Sequence, residues 1–299
     1  MIRLHESLRA LFYAPLYAAL ARDAFARAGV ALTVLSAAAP DAAPAAIAAG
    51  SADVAWGGPM RLVAARRDDP ASDLRLFAEF VCRDPFLVLG RDVAPGMAPA
   101  ALCGMELAGV TEVPTPLLCL RQDIRDGGAD PAALQLAPPA PMAVNAARVQ
   151  AGAVALAQLF EPYATLAEQG GCAVAYAAAT RGVTAYTGLY ARAGTIAARR
   201  DEILALARGL AAGLDFAANA PLAEFAAALS PFFPDLEPAL IARCLARYRR
   251  LGIWPRGITP SRRGYARLAR ALEGGGFTPR TPGFARIADR SIAAECAAG

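Results

Sequence analysis

Lysine is absent from the 299 residues: all 30 basic side chains are arginine. Without it the chain has no internal Schiff-base amine for pyridoxal phosphate and no Walker-type phosphate lysine. Histidine occurs once, at His5, which excludes a multi-histidine metal centre. The six cysteines, Cys82, Cys103, Cys119, Cys172, Cys244 and Cys296, include no pair at metal-ligand or CxxC redox spacing. Most lie among Ala, Val and Leu and read as small buried hydrophobes, although disulfides stay open. Neither a metal nor an organic cofactor is expected, and no residue is assigned a catalytic role. No uninterrupted apolar run is long enough to span a bilayer.

Much of what remains is apolar. Hydrophobic residues make up 56% and charged ones 19%, the composition of a packed globular chain, and the length favours two lobes over one core. With 26 acidic residues the formal charge is only +4. The arginines between Arg243 and Arg270, interleaved with Tyr248, Trp254 and Tyr265, accordingly read as a solvated helical face, and no nucleic acid partner is expected. At the N-terminus Arg3, Arg9 and "ALFYAPLYAALA" resemble a leader on the surface, but Glu6 and Pro15 interrupt the pattern and "IRLHES" reads as the first strand.

Along the chain, strand and helix patterns alternate: "IRLHES", then "APLYAALARDAFARAG" ending at Gly29, "VALTVLS", "APAAIAAG", "ADVAW" and a helix from Met60. This rhythm predicts βαβ units and a parallel sheet. "LRLFAEFVC" and "PFLVLG" follow, and then a second series of strands and helices through "AVALAQLF". After the strand "TAYTGLYA", residues 184–191, the chain turns helical. One stretch stands out: "AAGSADVAWGGP", where a short strand delivers Trp56 and the next positions, Gly57 and Gly58, carry no side chain. "QAGAVALAQLFEP" echoes it with the same order of glycine, small-residue strand, aromatic and proline, as two similar lobes would.

"FYAPLYAALARDAFARAGVALTVL" with "AAGSADVAWGGP", and later "VQAGAVALAQLFEPYATLAEQG", resemble the ABC-transporter substrate-binding proteins of the nitrate, sulfonate, taurine and thiamine-precursor group. The resemblance implies a type II periplasmic-binding fold of α/β class with two lobes and C-terminal helices. Ligand would bind between lobes and drive hinge closure. It also implies an importer permease as partner and a periplasmic location; the absence of a recognisable leader keeps a cytoplasmic location open. Two positions depart from the group. Ala155 stands where an aspartate is common, and the helix that often opens with glycine and serine or threonine here reads "TEVPTPLLCL".

On this reading lobe 1 comprises 1–84 and 191–299 and lobe 2 comprises 85–190, in a monomer. Strand ends that would face the ligand carry His5, Ser7, Phe12, Tyr13, Trp56, Gly57, Gly58, Glu79, Thr115, Glu161, Tyr163 and Tyr186. Trp56 would wall the ligand, the two glycines would admit it to backbone amides, and Thr115 would cap a helix whose free amides hold an anion. Glu112 nearby argues against a strongly anionic ligand. The expected function is binding of a small organic solute, a sulfonate, carboxylate or thiamine-pyrimidine-like molecule. The alternative is an enzyme on the same fold, either thiamine-pyrimidine synthase-like or a cofactor-free lyase using Glu79 or Glu161 with His5.

Overall fold

A computed structural model describes residues 1–36 and 42–298. Ten strands occur among them: β1 (Ile2–Glu6), β2 (Leu32–Ser36), β3 (Val54–Gly57), β4 (Leu74–Val81), β5 (Leu87–Gly90), β6 (Glu106–Ala108), β7 (Gln135–Leu136), β8 (Leu156–Leu159), β9 (Ala173–Ala177) and β10 (Thr187–Arg192). They form two five-stranded sheets, ordered β2-β1-β3-β10-β4 and β7-β6-β8-β5-β9. The expected all-parallel arrangement needs one correction in each sheet. β10 runs antiparallel to β3 and β4, and β5 runs antiparallel to β8 and β9. Each antiparallel strand occupies the fourth place of its sheet, so the two sheets repeat one topology. In that scheme β3 and β8, the strands of the two echoing motifs, hold the same central position.

The chain forms two compact units, one of residues 1–83, 183–268 and 280–299, the other of 84–182 and 269–279. The return therefore comes at Val183 and not at Ala191, because β10 belongs to the first sheet and must be entered before Thr187. The excursion 269–279 has no counterpart in the sequence reading. Within the second unit Gly275 lies so close to helix Thr115–Asp126 that an added Cβ would sit 2.3 Å from Leu118 Cδ2.

In the first unit, helix Ala14–Ala21 ends before Asp23, a non-glycine residue at φ 52°, and a short helix Ala24–Arg27 follows. Both pack against helix Arg200–Asn219. Gly209 and Gly213, one turn apart on that helix, make the approach possible, since added Cβ atoms would lie 2.4 Å from Phe25 Cδ1 and 2.2 Å from the Pro15 carbonyl oxygen. Glycine inside a helix costs about 1 kcal/mol against alanine, and here close packing offsets that penalty. At the sheet's amino edge Arg3 binds Asp53 through both carboxylate oxygens, and Arg199 links Asp53 to Glu202. Trp254 donates its indole N–H to the Phe12 carbonyl at 2.8 Å, and Tyr248 is wholly enclosed. Arg249 donates to the Ala217 and Ala220 carbonyls. The aromatics and Arg249 thus tie helices together, while Arg243, Arg250, Arg256, Arg262, Arg263 and Arg270 are exposed, as a solvated face requires.

The second unit is organised around a buried charge cluster. Arg181 is ion-paired to Asp84 and Asp123, and Tyr176 donates to Asp123 at 2.9 Å. The six cysteines are free thiols, with Cys82, Cys119, Cys172 and Cys244 buried. Burial pushes Cys82 and Cys119 up to about 12, far from thiolate reactivity.

Candidate functional site

The carboxyl edge of the first sheet brings together the ends of β1 and β3 and the amino end of β10. In the parallel pairing of β1 with β3, His5 lies beside Ala55 and Glu6 beside Trp56. Side chains alternate along a strand, so one face carries His5 and Gly57 and the other carries Glu6 and Trp56.

The Trp56 face is an interior. The indole has no exposed surface, and the rings of Tyr13 and Tyr17 meet it edge-on at 6.1 and 6.2 Å. The expectation that Trp56 walls a ligand is therefore replaced by a core role. Glu6, which the sequence reading passed over, is equally buried. It accepts hydrogen bonds from Arg9, from the Tyr17 hydroxyl at 2.7 Å and from Ser36 Oγ at 3.0 Å. Burial opposes its ionisation, but these bonds outweigh it and hold the carboxyl below its ordinary range. Ser7 donates to the Trp56 carbonyl at 2.6 Å and locks β1 to β3.

The His5 face holds a different group. Arg61, in the first turn of helix Met60–Asp68, is 8% exposed, and among the described residues its guanidinium has neither a hydrogen bond nor an ion pair. Its stem crosses β3 at Gly57, where an added Cβ would lie 3.1 Å from Arg61 Cδ and 3.4 Å from Tyr190 Cε1. Gly57 is thus small in order to admit Arg61. Gly58 lets the crossing segment pass, with its own Cβ position 3.0 Å from the Tyr186 carbonyl oxygen. Burial first, and Arg61 second, lower the His5 pKa, so the imidazole is neutral at pH 7, and its buried Nδ1 has no partner. Tyr13 is pushed up to about 12 by burial, which the Arg61 charge only partly offsets. A nearly buried cation with no carboxylate partner among the described residues keeps its donors available to an incoming anion.

The other expected residues divide. Phe12 is buried, its ring edge-on to Tyr13 at 4.3 Å, and Tyr186 is buried with its amide on Val81 O. Glu79 is 1% exposed, and its Oε2 accepts the Ser261 amide at 2.6 Å, so it anchors the loop before helix Arg262–Gly274. In the second unit Glu161 is enclosed and accepts the Thr165 amide at 2.9 Å, stabilising the start of helix Tyr163–Gln169. The Glu161–Pro162 peptide is cis. Tyr163 is half-buried, edge-on to Phe160 at 5.9 Å. Thr115 is the first residue of helix Thr115–Asp126, Pro114 holds the N-cap place, and no side-chain cap bond forms. Glu112 is exposed and accepts the Met142 amide at 2.9 Å, so it caps another helix.

Arg61 was legible in one respect. A cation in the first turn of a helix is set against the helix dipole, and that position within "WGGPMR" is a local conflict that a functional role resolves.

Two α/β units of this repeated topology define the type II periplasmic-binding fold. Residues 12–224 match the NMT1/THI5-like family model, and the chain belongs to that family. Among solved structures it is similar to the periplasmic aliphatic sulphonate-binding protein SsuA of Escherichia coli, with 18% identity over 96% of both chains and a TM-score of 0.76. It is also similar to the nitrate-binding protein NrtA of Synechocystis PCC 6803, with 16% identity over 99% of this chain and 88% of that one and a TM-score of 0.70. The ligand-binding component of an ABC-type import system from Staphylococcus aureus is a third, with 13% identity over 99% and 98% of the chains and a TM-score of 0.73. No curated protein sequence matches.

Proposed function

We propose that the protein is the solute-binding component of an ABC-type importer and that its ligand is a small organic anion, a sulfonate or carboxylate, whose charge is met by Arg61. The observation that carries this reading is the nearly buried, unpaired guanidinium on the carboxyl side of the first sheet. The N-terminus of helix Met60–Asp68 adds positive potential at the same place. Neutral His5 and the buried tyrosines would set orientation and exclude water, and no covalent step is involved. Membership of the NMT1/THI5-like family and likeness to a ligand-binding component of an ABC-type import system and to a periplasmic sulphonate-binding protein support the transport role, a permease partner and a periplasmic location. Among the described residues no helix is long and apolar enough to cross a membrane. The lyase reading loses support because Glu79 and Glu161 are enclosed and bonded to backbone amides.

Native mass spectrometry of the purified protein should reveal a copurifying anion. Calorimetry with that molecule, or with a panel of alkanesulfonates and carboxylates, should then show Arg61→Gln weakening binding at least about thirtyfold, the loss of about 2 kcal/mol expected when one member of a buried charge pair is removed. Binding that is indifferent to Arg61→Gln would sink the proposal.

A further inference from the structure

His5 and Arg61 lie on one side of the first sheet, and among the described residues neither makes a hydrogen bond or an ion pair. In the parallel register His5 stands beside Ala55 of β3, and Tyr190 of β10 stands on the far side of Ala55, so the three share a face. Gly57 is two residues further along β3 on that face, roughly 8 Å from His5 at a strand spacing of about 4.8 Å and a rise of about 3.3 Å per residue. The Arg61 stem crosses there, with Cδ 3.1 Å from the Cβ position of Gly57. A guanidinium and an imidazole together reach across that gap. His5 is 7% exposed, and its Nδ1 is buried without a partner.

The other ionisable groups around this face are committed or distant. Arg3, two residues before His5 on β1, is closed on Asp53 through both carboxylate oxygens. Glu6 points to the opposite face, where Arg9, Tyr17 and Ser36 hold it. On β2 the neighbour of His5 is Leu35. Helix Ala43–Ala48, which packs on β1 and β3, has no ionisable side chain, and the remaining charges of helix Met60–Asp68 lie in its last turn. Tyr13 and Tyr190 are buried, which raises both and keeps their hydroxyls protonated. Beyond β10, Glu79 of β4 is turned to the Ser261 amide.

A proton on His5 would set a second cation beside Arg61 in a nearly closed space, so the imidazole of the free protein stays neutral. An anion on Arg61 reverses the balance. It places negative charge next to the ring, and an imidazolium, with both nitrogens as donors, binds it as a second cation. We propose, building on Arg61 as the partner of the ligand's anionic group, that binding draws one proton from solvent onto His5, so that the protein takes up anion and proton together and holds its ligand more tightly at acidic pH.

The test is calorimetry of the full chain with methanesulfonate, butanesulfonate and benzenesulfonate, which stay ionised throughout, at pH 5.5 and pH 8 in buffers of different ionisation enthalpy. Affinity should be about tenfold greater at pH 5.5, as an opposite charge beside an imidazole provides, and binding at pH 7 should take up protons from the buffer. His5 is the only histidine, so proton NMR follows its ring alone, and saturating sulfonate should move its titration midpoint to higher pH. In His5→Gln the pH response and the proton uptake should disappear. Both should persist in Glu79→Gln, which removes a carboxyl that burial raises to about 7. Sulfonate binding that depends on Arg61 yet shows no pH response and no proton uptake would overturn the coupling and leave the anion reading standing. A pH response that survives in His5→Gln, or no binding of any sulfonate at either pH, would also overturn it. Binding indifferent to Arg61→Gln would remove the reading on which it builds.

Discussion

Trp56 and Arg61, five positions apart, exchange the roles that their chemistry first suggests. An indole beside two glycines reads as a ligand wall, yet its edge-on contacts with Tyr13 and Tyr17 make it part of the core. Trp56→Ala should therefore act on stability, by about 3–5 kcal/mol as for other buried aromatics, and denaturant unfolding should show it. An unaltered midpoint would contradict the core assignment. The arginine reads as a surface cation, yet burial without a counter-ion makes it the residue that asks for a ligand. In the ligand-free protein Arg61→Met should raise the thermal midpoint, since it relieves a desolvated charge, while lowering affinity for an anion. A variant that destabilised the free protein would argue that Arg61 serves the fold instead.

Among the elements, the contact of helix Arg200–Asn219 with helix Ala14–Ala21 depends on a missing side chain. Gly213→Ala places a methyl 2.2 Å from the Pro15 carbonyl oxygen and 2.9 Å from Ala19 Cβ. The helices must separate, and the expected loss is about 1–3 kcal/mol despite alanine's better helix propensity. Thermal unfolding of the variant checks it, and a gain in stability would show that the helices can slide apart freely. In β10, Gly188 is tighter still, with an added Cβ 2.1 Å from the Ala78 carbonyl oxygen, where the β10–β4 register shifts. The two echoing strands, β3 and β8, were legible from sequence as equivalents in two similar units because glycine, small residues, aromatic and proline recur in order. The antiparallel entry of β5 and β10 into the fourth places was not, because direction within a sheet depends on where distant segments cross.

For the molecule as a whole, two buried carboxylates make stability depend on pH with opposite signs. Burial raises Glu79 to about 7, so the folded protein holds a proton that the unfolded chain releases above the ordinary value of 4.5. Stability from this group is therefore greatest at low pH and declines as pH rises from about 4.5 to 7, by up to about 3 kcal/mol. Glu6 is held down, so its contribution is present above the ordinary carboxyl range and disappears as pH falls through its lowered value. Glu79→Gln keeps an acceptor for the Ser261 amide and removes the titration. Urea unfolding at pH 5 and pH 8 should show a smaller difference for the variant than for the native protein, with the gain at pH 8. Equal differences would show that Glu79 does not titrate in this window.

The sequence by itself determined the strand–helix rhythm, the doubling of the α/β pattern, the absence of lysine and multi-histidine chemistry, and the family resemblance, because these follow from local periodicity and residue chemistry. Tertiary structure alone decided which polar groups were already committed. Glu79, Glu161 and Glu112 are ordinary carboxylates in the sequence, and only folding sets each against a backbone amide and leaves Arg61 nearly buried with no carboxylate partner among the described residues. Whether a charge is satisfied depends on partners that burial and strand order bring to it, and those partners are remote in the chain.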